Sequence, residues 1–199
     1  MPSNGGCEVL ADPRHSAKHQ PIFWSVHANP AAIVLTPGST PSARPLTSDD
    51  LRPLMILQHA PSLMRLDIRG DQYDVELTDP DDRRTLCALT ILDALTADRL
   101  ASLERFWSGL TGKRVPADQR VTRQRRARAR LMLRAIDGDA AQATYRDIAL
   151  QLYPQHPTEP GDWVGSPVRE TVIRLARDGR VLVRGGYLDL MRRPRRSRG

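Results

Sequence analysis

The chain of 199 residues has room for one well-cored domain or two small ones, and is too short for most large catalytic folds. Hydrophobic residues make up 40% and aromatic residues 5%, so any core must be built mainly from Leu, Val, Ile and Ala. The net charge of +7 is unevenly placed: residues 1–121 carry 13 Lys+Arg against 15 Asp+Glu, whereas residues 122–199 carry 17 Arg against 8 Asp+Glu, an asymmetry that favours a polyanionic partner over an acidic small substrate.

Met1 to Pro21 is polar, holds Gly5-Gly6 and has no apolar period, so residues 1–21 are expected to form a disordered arm. This stretch lacks the apolar core of a signal peptide, and no later run approaches the length of a membrane span. With two cysteines, Cys7 and Cys87, no disulfide framework is implied, and a soluble, cytoplasmic protein without a membrane partner is expected. His15 and His19 lie near Cys7 and His27 but match no zinc spacing, so neither metal nor cofactor is expected. Walker loops, nucleophile elbows and His-Glu helix pairs are all missing from the sequence, which makes an enzyme the least expected class.

Residues 22–95 read as a β-rich region. Ala31 to Leu35 is a strand closed by Pro37-Gly38, and a Pro/Ser/Thr loop follows to Ser48. Leu63 to Leu92 reads as an antiparallel meander: Leu63–Ile68, a turn at Arg69-Gly70-Asp71, the alternating Tyr73–Leu77, a turn at Asp79-Pro80-Asp81-Asp82, and a buried third strand, or a helix, over Leu86–Leu92.

Residues 96–191 read as helical. Thr96 is expected to cap a helix with Leu100, Leu103, Trp107 and Leu110 on its buried face and Gly112 at its end. After a linker over Val115–Gln119, Thr122 caps a helix to about Ile136, closed by Asp137-Gly138-Asp139, with Ala127, Leu131, Leu133, Ala135 and Ile136 inside and Arg123, Arg125, Arg126, Arg128, Arg130 and Arg134 around them. Thr144 and Asp147 form a variant capping box for a short helix burying Tyr145, Ile148, Ala149 and Leu152. Trp163 anchors the following turn.

Ser166-Pro167 marks the start of a last helix, expected to end at Asp178 before Gly179. Val168, Val172, Leu175 and Ala176 share one face, Glu170, Arg174 and Arg177 point away, and Arg169 lies at the boundary. A recognition helix needs this construction, an apolar face fixed to its neighbour and long polar side chains free to enter a major groove. Arg180 to Leu188 reads as a tight hairpin turning at Gly185-Gly186, the wing of a winged helix, and residues 192–199 as a basic tail.

The runs Thr122–Arg126, Leu131–Gly138 and Thr144–Ala149, with Val168–Leu175 and Arg184–Leu190, resemble the RovC-type DNA-binding domain family across roughly residues 95–193. Phe23-Trp24 and Asn29 to Leu35 are similar to the segment that often precedes this domain in proteobacterial regulators. The resemblance implies transcription control, with family roles in type VI secretion and mobile-element transfer, while some small relatives act as antiactivators that bind a related regulator.

The expected architecture is therefore α+β, an N-terminal β-rich region followed by a C-terminal helical, winged helix-turn-helix-like domain. Its expected function is a bacterial, sequence-specific, double-stranded-DNA-binding transcription regulator, with Arg169, Arg174 and Arg177 reading base edges. Thr144, Arg146, Arg184 and the tail residues Arg192, Arg193, Arg195 and Arg196 are expected to hold the duplex through phosphates, and Arg125 of the preceding arginine-rich helix is a further expected DNA-binding residue. A homodimer is expected from the frequency of isologous dimers among regulators. Two other readings stand beside this one, an antiactivator docking on a related transcription regulator and an RNA-binding or mobile-element accessory protein.

Overall fold

The computed structural model describes residues 22–39, 44–156 and 161–192. The arm at 1–21 and the tail residues Arg193, Arg195 and Arg196 lie outside the described residues, as do parts of the loops at 36–48 and 155–165. The fold is α+β, strands first and helices after. The chain forms two compact units, one reaching to Ala117 and including Met191 and Arg192, the other running from Asp118 to Leu190. Among the described residues no helix is long and apolar enough to cross a membrane.

The first unit is a five-stranded sheet in the order β2-β3-β4-β1-β5, with β1 Ile33–Pro37, β2 Met55–Ala60, β3 Leu63–Ile68, β4 Asp71–Leu77 and β5 Leu86–Leu89. Strict alternation in β3 and β4 sends Met64, Leu66, Ile68, Tyr73, Val75 and Leu77 to one buried face. The expected β3–β4 hairpin forms, with Leu66 opposite Tyr73 and a turn carried by Arg69 and Gly70 at positive φ. The meander does not continue into the third strand. β1 enters between β4 and β5, parallel to β4 and antiparallel to β5, and Thr78 N–H donates to Leu35 O at 3.0 Å as the chain leaves β4. β2, a strand not expected from the sequence, pairs with β3 through an irregular register.

On the far side of the sheet Arg65 bridges Asp74 (2.6 Å) and donates to Ile22 O (2.9 Å), its guanidinium 4.8 Å from the centre of the fully buried Phe23 ring. A single-turn helix, α1 Ser48–Leu51, precedes β2, and helix α2, Thr96–Leu110, packs on the near side. The inward face of α2 matches the expected one in part: Leu103 and Leu110 pack against the core, joined by Phe106, Ser102 and Gly109, whereas Leu100 and Trp107 are about half exposed. The small residues decide this. They let the helix settle close to the sheet, where a Cβ on Gly109 would stand 3.1 Å from Ile68 Cγ2, and Phe106 meets Tyr73 edge-on at 5.5 Å. Gly112, at φ 73°, ends the helix as expected.

The second unit is built from α3 Arg123–Ala140, α4 Tyr145–Leu152 and α5 Pro167–Val183. Ala135, Ile148, Ala149, Val172, Leu175 and Ala176 form its core, with Leu131, Met132, Tyr145, Leu152 and Trp163 packed around them. Two expected helix ends are corrected. Asp137-Gly138-Asp139 lies inside α3 and Gly179 lies inside α5, because both glycines mark close helix approaches. A Cβ on Gly138 would stand 2.8 Å from Ile148 Cγ1, and one on Gly179 would stand 2.8 Å from Ile136 Cγ1 and 2.9 Å from Met132 O.

A third correction follows from the second. Since α5 continues to Val183 and a 3-10 segment spans Gly186–Met191, the hairpin expected over Arg180–Leu188 does not form. Gly185 does adopt positive φ, 124°, but it links two helical segments instead of two strands.

Candidate nucleic-acid interface

Helix α5 is defined at its start by Ser166, whose Oγ accepts from Val168 N at 3.2 Å and Arg169 N at 3.3 Å, with Pro167 at the first helical position. Val172, Leu175 and Ala176 are buried as expected, and Arg174 and Arg177 are exposed on the opposite side, with Arg169 half-buried. All three arginines touch acceptors on their own helix. Arg169 Nη1 is 2.9 Å from Glu170 Oε1, Arg174 Nε donates to Glu170 O at 3.3 Å, and Arg177 Nη2 is 3.0 Å from Asp178 Oδ1. Contacts of this exposed kind are worth a fraction of a kcal/mol and exchange readily for a phosphate or a base edge.

Asp178 also receives Arg128 of α3 at 2.8 Å, so its carboxyl holds α3 and α5 together. The guanidinium of Arg177, then that of Arg128, keeps the Asp178 carboxyl below its ordinary range despite opposing desolvation. A second tie runs from Arg180 to Asp139 (2.6 Å) and to the Tyr145 hydroxyl (3.4 Å), which hold the guanidinium above its ordinary value.

Thr144 caps α4. Its hydroxyl donates to Asp147 Oδ2 at 2.6 Å and accepts from Asp147 N at 3.2 Å, and Thr144 N donates to the same carboxylate at 3.2 Å, completing the box. These bonds hold the Asp147 carboxyl below its ordinary range. The hydroxyl singled out for phosphate contact is thus engaged in capping, while half-buried Arg146 sits in the first turn of the same helix.

Arg184 is exposed at the C-cap of α5, where its N–H donates to Arg180 O at 3.1 Å. The expected wing position is therefore replaced by a helix end. Arg125 bridges two carbonyls, Arg120 O at 2.8 Å and Asp189 O at 2.5 Å, and so fastens the 3-10 segment to the start of α3. Arg192 belongs to the first unit, where its charge helps lower the Asp93 carboxyl, an effect led by the Arg99 hydrogen bond to Asp93. Among the described candidates of the second unit, Arg169, Arg174 and Arg177 share α5, while Arg125, Thr144, Arg146 and Arg184 are spread over caps and helix ends.

Apart from Arg125, the arginines of α3 carry no role legible in the sequence, because six of them crowd one helix and spacing alone does not tell which are tied down. The ion pair of Arg128 and the carbonyl contacts of Arg125 and Arg134 are tertiary facts.

Comparison with curated proteins and with solved structures returns no match. A family model described as a type VI secretion system (T6SS) transcription factor, DNA-binding domain, matches residues 50–192, more than two thirds of the chain and including most of the sheet as well as all of α3, α4 and α5. On that match the chain belongs to the RovC DNA-binding-domain family, a family of DNA-binding transcription factors.

Proposed function

We propose that this protein is a sequence-specific regulator of transcription in which α4 and α5 act as a helix-turn-helix-like pair and the outward face of α5 enters the major groove. The observation that carries the reading is the two-sidedness of α5 within a chain of a DNA-binding family: Val172, Leu175 and Ala176 buried, Arg174 and Arg177 exposed. Arg169, Arg174 and Arg177 read base edges, releasing Glu170 and Asp178 as they do so. Arg146, Arg184 and the basic tail at 192–199 hold the backbone, and Thr144 contributes through the α4 N-terminus that it caps. The reading element belongs to residues 118–190 and works without a β-wing.

The test is binding of the purified protein to its own upstream DNA and to scrambled DNA across a salt series. A preference of roughly 10³ or more, with a linear log-log salt dependence, supports sequence-specific regulation. Indiscriminate weak binding overturns it.

A second reading, an antiactivator docking on a related regulator, is favoured by apolar side chains exposed in the same unit: Leu133, Val164, Val181 and Val183. It predicts salt-tolerant binding to protein and no preference among duplexes.

A further inference from the structure

From Arg123 to Ile136, α3 carries six arginines and no carboxylate. Three of them are tied down: Arg125 to Arg120 O and Asp189 O, Arg128 to Asp178, and Arg134 to Gln151 O. The other three, Arg123, Arg126 and Arg130, are exposed and meet no acceptor among the described residues. At 100° per residue they fall within about 60° of one another, on the side of α3 turned away from Leu131, Met132, Ala135 and Ile136. With a rise of about 1.5 Å per residue they make a straight row about 10 Å long.

This arrangement works against the free helix. Arg123 and Arg126 lie in the first turn, at the positive end of the helix dipole. The spacings from Arg123 to Arg126 and from Arg126 to Arg130 are those at which like charges repel along a helix. Thr122 offsets part of this by capping Arg125 N at 3.2 Å. A linear polyanion relieves both penalties, since it supplies negative charge along the row and at the exposed N–H groups of the first turn.

We infer that Arg123, Arg126 and Arg130 form a rail for the phosphate backbone of duplex DNA, contributing affinity and no sequence preference. The inference rests on the reading of the protein as a DNA binder, but not on α5 as the reading element. Duplex is favoured over single strands because the row carries no aromatic side chain on which an unstacked base would sit. Phosphate is favoured over base edges because, among the described residues, no neighbour holds any of the three guanidinium groups in the fixed aim that bidentate base reading needs.

The test uses the full chain with Arg123→Gln, Arg126→Gln and Arg130→Gln together, titrated with upstream DNA and with a random-sequence duplex across a salt series. Each lost phosphate contact lowers the log-log slope by about 0.9, so the slope should fall by about 2.7 on both duplexes, with the preference between them unchanged. Between 50 and 200 mM salt this reduces the loss of affinity by about 40-fold. The matching triple Lys variant should keep the slope, since the row needs charge and not the fork. Thermal unfolding of the Gln variant should occur no lower than in the parent, because self-repulsion is removed.

An unchanged slope in the Gln variant overturns the rail while leaving the DNA reading intact. A collapse of the preference that Lys fails to restore also overturns it, by making these residues base readers. No duplex binding by the parent overturns rail and reading together. A lower slope alongside an Arg174→Ala variant that keeps its preference supports the rail and removes α5 from base reading.

Discussion

Replacing Gly179 distinguishes a helix crossing from a helix stop. In a solvated helix interior Gly→Ala gains about 1 kcal/mol from propensity. Here the added Cβ meets Ile136 Cγ1 at 2.8 Å and the Met132 carbonyl at 2.9 Å, and the second of these is backbone that cannot rotate aside. Overpacking of this kind costs about 1–3 kcal/mol, so Gly179→Ala should lose up to about 2 kcal/mol net. For a unit of this size each kcal/mol lowers Tm by about 4–8 °C, within reach of thermal unfolding followed by far-ultraviolet circular dichroism. Alanine alone does not separate the two cases, because a left-handed stop also disfavours it. Asn does. It tolerates the left-handed region and would be mild at a stop, but at a crossing it adds a larger clash and an amide without partners. Gly179→Asn should therefore be clearly worse than Gly179→Ala, and an Asn variant as stable as the parent would refute the continuous α5 and return the wing to consideration.

Further outcomes are expected. Arg174→Ala should lower the preference for upstream over random DNA by about 1–3 kcal/mol in a competition titration, while Arg195→Ala in the tail should weaken both duplexes alike. Thr144→Ala should cost about 1 kcal/mol in denaturant unfolding and Thr144→Ser little, since Ser rebuilds the cap. Asp147 and Asp178 are held below the ordinary value of 3.8, so the folded state binds these protons less readily than the unfolded one. Their stabilisation is complete above that value and is lost as pH falls through the lower, folded-state values; Tm should drop in acid below about pH 4, and Asp147→Asn should flatten that drop. Arg125→Ala should speed amide exchange over residues 186–191, whose 3-10 segment it fastens through Asp189 O.

Much was legible in the sequence where local chemistry decides the outcome. The caps at Thr122, Thr144 and Ser166, the Pro167 start, the stop at Gly112, the alternation of β3 and β4, and the two faces of α5 depend on residues within a turn or two of one another. The charge asymmetry and the ordered motifs from Thr122 onward were enough to bring the RovC family into view. Tertiary contact decided the rest. A glycine reads the same whether it ends a helix or admits another, and the approaches of Ile148 to Gly138 and of Ile136 to Gly179 settled both cases and removed the expected wing. The strand order, with β1 inserted beside β4, depends on pairing between segments some forty residues apart, which alternation within a strand does not encode. Beside Leu103 and Leu110, the inward face of α2 went to Ser102, Phe106 and Gly109 because close packing on the sheet outweighed the larger apolar side chains of Leu100 and Trp107. The same holds for α3: sequence supplied six arginines, and only their neighbours in the fold, Asp178, Asp189 O and Gln151 O, separate those that brace the unit from those left exposed for a polyanion.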